Sequence, residues 1–255
     1  MKMKSLAVAL TLLATPVAAQ EVKVGIAAEP YPPFASPDAS GNWVGWEVEI
    51  IGAVCAAAEL NCVVTPVGWD GIIPSLVSGQ IDAIMASMSI TDERMQTIDF
   101  SNKYYNTPTG VVGAKGVDMA PTAEGLAGKI IGVQVSTIHE AYVNKYFAAT
   151  AAEVKTYQTQ DEANQDLVAG RIDAIQADSI ALDAFLASEA GAACCELKGV
   201  VADDKEVLGQ GVGVGLRKGE EELKAKFNAG IDKIRADGTY DTITEKYFAS
   251  SIYGD

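Results

Sequence analysis

A twelve-residue phrase occurs twice in this chain. Residues 76–87 read LVSGQIDAIMAS and residues 167–178 read LVAGRIDAIQAD, identical at 8 of 12 positions without a gap. Each copy reads as a helix end, a glycine C-cap and a short apolar strand. Two readings are open. Two segments have converged on a common helix-to-strand signal, or the chain holds two similar α/β units that face each other. In this register Ser87 coincides with Asp178.

The flanks of both copies extend the pattern. Val22–Ala28 alternates and is β-branched, which predicts a strand. The run YPPFASPDASGN is rich in turn formers and reads as a loop. Trp46 to Leu60 places Val48, Ile51, Val54, Cys55 and Ala58 at helical spacing. Val63–Val67 reads as a second strand. Asp70 is placed to cap a helix through Ile72, Ile73, Leu76 and Val77, Gly79 ends it, and Ile81–Met85 is a third strand. In the second half, strands are expected at Lys129–Gln134, Val154–Tyr157 and Ile172–Gln176, with Ser136 or Thr137 capping the helix after the first. Residues 209–219, GQGVGVGLRKG, form a glycine-spaced extended stretch that does not fit the GxGxxG dinucleotide pattern. An amphipathic helix over Glu220–Ala236 and a turn plus helix in DGTYDTITEKYF close the chain. Alternation of this kind predicts α/β structure with largely parallel sheets.

The first residues, MKMKSLAVALTLLATPVAAQ, carry Lys2 and Lys4, an apolar run and a small-residue end. That layout predicts a secretory signal peptide over 1–19, cleaved after Ala19; the run is shorter than the roughly 20 residues a spanning helix needs. Without Lys2 and Lys4, 17 of the 19 basic residues face 34 acidic ones, a net charge of −17. Such a chain repels phosphate backbones, which disfavours nucleic-acid binding. Export permits a disulfide between Cys55 and Cys62, while adjacent Cys194 and Cys195 either bridge each other or stay thiols. With His139 the only histidine and no CxxC, neither a metal site nor a histidine-based triad has support. No cofactor is expected.

Ligands of open α/β sheets bind beyond the carboxyl ends of the strands. Here the first echoed strand runs into MASMSITDER. Ser87 and Ser89 are two apart, so an extended chain sends both to one side. Thr91 can cap a short helix, and Arg94 lies one turn on. Free amides plus a guanidinium suit a carboxylate; a surface Arg94 paired with Asp92 or Asp99 fits the same spacing. Asp178 ends the second echoed strand, either as the partner of an ammonium or as the N-cap of SIALDAFL. If the two units face each other, Arg94 and Asp178 hold opposite charges of one zwitterion. Trp69 and Tyr31 are candidate walls of a pocket. Glu29 and Glu47 are carboxylates that could meet a cationic side chain.

Taken together, YPPF, GWDGIIPSL, GQIDAIMASMSITDER, IDFSNKYY, GVGLRKG and ADGTYDTITEKYF resemble the family 3 extracellular solute-binding proteins, the periplasmic receptors of polar amino-acid ABC importers. The likeness spans 22–254 and is greatest to the lysine/arginine/ornithine-, histidine- and opine-binding group, whose disulfide the Cys55–Cys62 spacing also fits. The resemblance implies a type II periplasmic-binding fold: two α/β lobes joined by two hinge crossovers, with the ligand cleft between them. The expected lobes are 20–108 plus 209–255, and 109–208. By resemblance Arg94 takes an α-carboxylate, helped by Ser87 and the Thr137–Ile138 backbone. Asp178 takes the α-ammonium with Ser89 beside it. Tyr31 and Trp69 sandwich the side chain, and Gln134 and His139 line the second lobe.

Three positions depart from the pattern. Ala28 stands where an acidic residue is common, with Glu29 one place on. Thr137-Ile138 replaces a frequent pair of threonines, and Ala86 replaces a serine. The expectation is a monomeric periplasmic binding protein, not an enzyme, that captures a polar and basic amino acid or an opine and delivers it to a permease in the inner membrane. The alternatives are a cyclohexadienyl dehydratase-like enzyme on the same fold, with Glu29 or His139 as its acid/base, and a binder of a non-basic amino acid.

Overall fold

A computed structural model describes residues 21–254, so the leader expected over 1–19 lies outside the described residues. The chain begins with β1 (Glu21–Ala27), the short pair β2 (Ser36–Pro37) and β3 (Trp43–Val44), α1 (Trp46–Ala57), β4 (Asn61–Val67), α2 (Ile72–Val77), β5 (Ala83–Ile84), α3 (Asp92–Met95) and β6 (Asp99–Tyr105). Next come β7 (Thr109–Ala114), β8 (Ile130–Gln134), α4 (Ile138–Tyr146), β9 (Glu153–Tyr157), α5 (Gln160–Val168) and β10 (Ala174–Asp178). Then follow α6 (Ser179–Ala187), α7 (Glu189–Cys194), β11 (Cys195–Val200), α8 (Lys205–Leu208), β12 (Val212–Leu216), α9 (Glu221–Ala236) and α10 (Thr239–Thr244).

Two five-stranded sheets result, ordered β4-β1-β5-β12-β6 and β9-β8-β10-β7-β11. The orders correspond strand for strand. In each sheet the echoed strand is central: β5 lies between parallel β1 and antiparallel β12, and β10 between parallel β8 and antiparallel β7. The echoed aspartates do one job twice. Asp82 accepts from the Lys23 amide at 2.9 Å, and Asp173 accepts from the Ile130 amide at 2.8 Å. Each carboxylate ties the entry of the central strand to the start of its parallel neighbour. The chain passes between sheets from β6 to β7 and returns from β11 to β12, which gives the two-lobed mixed α/β architecture of the type II periplasmic-binding fold.

Both sheets are covered on both faces, so their central strands are buried throughout. Trp46 anchors the larger core. It is fully buried, meets Tyr105 and Tyr240 edge to face at 5.1 and 5.8 Å, and donates from Nε1 to Thr244 at 3.1 Å. The alternate glycines of β12 answer to packing: a side chain on Gly213 would lie 2.9 Å from the Ile90 side chain. Cys55 and Cys62 bridge α1 to β4, and Cys194 and Cys195 bridge each other.

Some local expectations change. Asp70 does not cap α2. It lies in a single 3-10 turn, Trp69–Gly71, that carries the chain directly into the helix, so no capping side chain is presented. The pairing of β5 covers only Ala83–Ile84, and the chain turns sharply at Ser87, whose φ is +55°. By contrast β10 runs two residues past Gln176, because β7 continues beside it to pair Thr109 with Asp178.

Candidate functional site

The carboxyl ends of β1, β5, β8 and β10 and the helix starts beyond them converge on one cleft. Its lining includes Glu29, Tyr31, Glu47, Trp69, Ser87, Ser89 and Arg94 from the first lobe, and Gln134, Thr137, Ile138, His139 and Asp178 from the second. All twelve residues singled out in the sequence are therefore brought together. The space is about 690 Å³, counted out to and including its open solvent mouth.

Arg94 is positioned by the short helix that Thr91 caps, its hydroxyl accepting from the Arg94 amide at 3.3 Å. The guanidinium forms no surface pair with Asp92 or Asp99. It donates to the Ser89 carbonyl at 2.9 Å, reaches across the cleft to the Ser136 carbonyl at 3.3 Å, and stands 5.5 Å from the Trp69 ring. Burial lowers its pKa to about 10, still ionised at neutral pH. Two of its five N–H groups are used, which leaves donors for a bidentate anion.

Asp178 sits at the N-cap position of α6 but makes no side-chain cap bond. Its carboxylate instead accepts from Tyr31 Oη across the cleft at 2.9 Å and from Thr107 Oγ1 at 2.5 Å. His139 Nε2 is 3.9 Å away, too far for a hydrogen bond. Burial works to raise the Asp178 pKa, but His139, Thr107 and Tyr31 outweigh it and hold it below the ordinary value. The Tyr31 phenol moves the other way, pushed up by burial and by Asp178.

Trp69 also spans the cleft, its Nε1 donating to the Val135 carbonyl at 3.1 Å, while its amide donates to Glu29 at 3.1 Å. Glu29 is half-buried and lines the cleft, whereas Ala28 is exposed and continues the β1 ladder. Thr137 caps α4, accepting from the Glu140 amide and donating to the Gln134 carbonyl. Gln134 donates from its side chain to the Gln158 carbonyl at 3.1 Å. Glu47, 1% exposed, accepts from the Ser87 amide, the Ser87 hydroxyl and the Tyr104 hydroxyl. Burial raises its pKa.

Sequence reasoning passed over three contributors. Thr107, in the first crossover, orients Asp178; Tyr104 supports Glu47; and buried Gln160, at the start of α5, lines the second lobe. Thr107 and Tyr104 stand in or beside the IDFSNKYY motif, but nothing in that motif says which aromatic points inward.

Comparison with known proteins agrees with this geometry. Residues 22–250 match the bacterial extracellular solute-binding proteins, family 3. The chain is 42% identical to the L-arginine-binding protein of Pseudomonas aeruginosa, over 97% of this chain and 96% of that one. It is 40% identical to the lysine/arginine/ornithine-binding periplasmic protein of Escherichia coli K12, over 98% and 97%. An ancestral arginine-binding protein, solved with arginine and with glutamine, superposes with a TM-score of 0.81 at 34% identity, covering 90% of this chain and 98% of that one. Two lobes built on one strand order, a charged cleft between them and a match over nearly the whole chain place this protein in the bacterial extracellular solute-binding proteins, family 3.

Proposed function

We propose that the cleft holds the zwitterionic end of an α-amino acid whose side chain is cationic. The observation that carries this is the pair of opposite charges brought to the cleft by different lobes, Arg94 from the first and Asp178 from the second. Arg94 takes the carboxylate in a fork, Asp178 takes the α-ammonium, and Ser89 and the start of α4 complete the polar contacts. Charge counting then selects the side chain. Three carboxylates, Glu29, Glu47 and Asp178, line the cleft against the single permanent cation Arg94. One zwitterion neutralises Arg94 and Asp178 and leaves two acidic groups for a cation lying between Tyr31 and Trp69.

Delivery follows from closure. Contacts available only when both lobes reach the ligand shift the hinge toward the closed form. That form is what a membrane permease would receive in the periplasm, after export through a leader cleaved at Ala19. The relatives named above are binding proteins, which supports transport rather than turnover. A thermal-shift and calorimetric panel of arginine, lysine, ornithine, histidine, glutamine and octopine tests the reading, since a tight ligand stabilises by RT ln(1 + [L]/Kd). Basic amino acids are expected to give the largest shifts. No shift with any α-amino acid would overturn it, and release of product from arogenate or prephenate would reassign the cleft to catalysis. Mass spectrometry of the exported protein should find Gln20 at its N-terminus, and gel filtration should find a monomer.

A further inference from the structure

We infer that Glu47, acting through Ser87, is the residue that makes the cleft prefer a cationic side chain to its neutral isostere; this rests on the amino-acid reading above. Ser87 adopts a left-handed backbone, φ +55°, which is unfavourable for a residue with a Cβ. Glu47 offsets that cost with a two-point hold. Its Oε1 accepts from the Ser87 amide at 2.8 Å, and its Oε2 accepts from the Ser87 hydroxyl at 3.2 Å. Tyr104 donates a third hydrogen bond to Oε1. The carboxylate lies in the first turn of α1, where the helix end favours negative charge. Among the described residues it forms no ion pair.

The direction of these bonds decides what Ser87 can read. A hydroxyl has one proton and two lone pairs. The Ser87 proton is given to Glu47, so toward the cleft Ser87 presents only acceptor capacity. It therefore suits an N–H group of a ligand, and it does not suit the carboxylate role that resemblance assigns it. Behind that acceptor stands a buried carboxylate that no protein cation neutralises. A guanidinium or ammonium placed there gains both terms, whereas a neutral isostere gains only the hydrogen bond. Glu29 is the rival carboxylate, but it is only half-buried, so solvent screens it more.

The test uses matched ligands on the whole mature protein: L-arginine against its neutral isostere L-citrulline, by calorimetry. A hydrogen bond to a charged partner predicts a wild-type preference for arginine of about 10- to 150-fold. Glu47→Gln keeps the shape and a carbonyl acceptor for the Ser87 amide. It should bring the ratio within about threefold by weakening arginine more than citrulline. Ser87→Gly suits the left-handed backbone, removes the hydroxyl and should also cut the ratio at least about threefold. A ratio unchanged in both Glu47→Gln and Ser87→Gly, or equal loss of both ligands in Glu47→Gln, would overturn the inference. Wild-type binding of amino acids without a cationic preference would overturn it while leaving the amino-acid reading intact. Binding of no α-amino acid at all would bring both down.

Discussion

Replacing Arg94 by alanine separates recognition of the carboxylate from everything else in the cleft. The guanidinium is held by the Ser89 and Ser136 carbonyls at 2.9 and 3.3 Å and lies over Trp69, so its fork is already oriented. In Arg94→Ala a ligand carboxylate would be buried without its cation, at a cost of about 3–5 kcal/mol. At 1.4 kcal/mol per decade this weakens L-arginine roughly 150- to 4,000-fold. Agmatine, which is arginine without the carboxylate, supplies the other half of the cycle. In the wild type it leaves Arg94 buried and unpaired, so its affinity should hold or improve in the variant. Arg94→Lys keeps a point charge but loses the fork, and should fall between, at about 10- to 150-fold. The assay is isothermal titration of both ligands into all three proteins, with melting curves to confirm folding. Arginine binding within about threefold of wild type, or a parallel loss for agmatine, would refute Arg94 as the carboxylate anchor.

Three further outcomes follow from other parts of the molecule. Lys145 and Tyr146 hold the Asp204 pKa down at about 2, so this contact stabilises the fold above the ordinary carboxylate range and loses its effect as pH falls toward about 2. Asp204→Asn should thus lower the melting temperature at pH 7, and the gap to wild type should close near pH 2. Removing the Cys55–Cys62 bridge by serine substitution frees a loop of sequence separation 7, and urea unfolding should show a loss of about 2–2.5 kcal/mol. Trp46→Ala empties a fully buried aromatic site, and the same assay should register a loss of about 3–5 kcal/mol.

The repeated IDAI phrase allowed the two lobes to be anticipated because its information is local. A helix end, a left-handed glycine and a buried strand each depend on a few adjacent residues. The aspartate after isoleucine was equally available, yet its bond to the start of a neighbouring strand was not, since Asp82 and Lys23 lie 59 residues apart. The caps show the same limit. Thr137 caps as its neighbours suggest, whereas Asp178, equally suited, turns away because Tyr31 and Thr107 compete for its carboxylate. Glu47 is the sharpest case. On paper it is one acidic residue among 34, and only the fold removes its solvent.

By itself, then, the sequence determined the repeated α/β units and most element types, because periodicity, caps and turns act over short spans; several of the cleft residues were indicated only by the resemblance of its motifs to a family. Tertiary structure alone decided that β12 inserts between β5 and β6 and that Arg94, Trp69 and Tyr31 reach to the opposite lobe. It also decided that the only proton of Ser87 is spent on Glu47. Hydrogen-bond direction and burial depend on partners brought from distant segments, and those are properties of the folded arrangement.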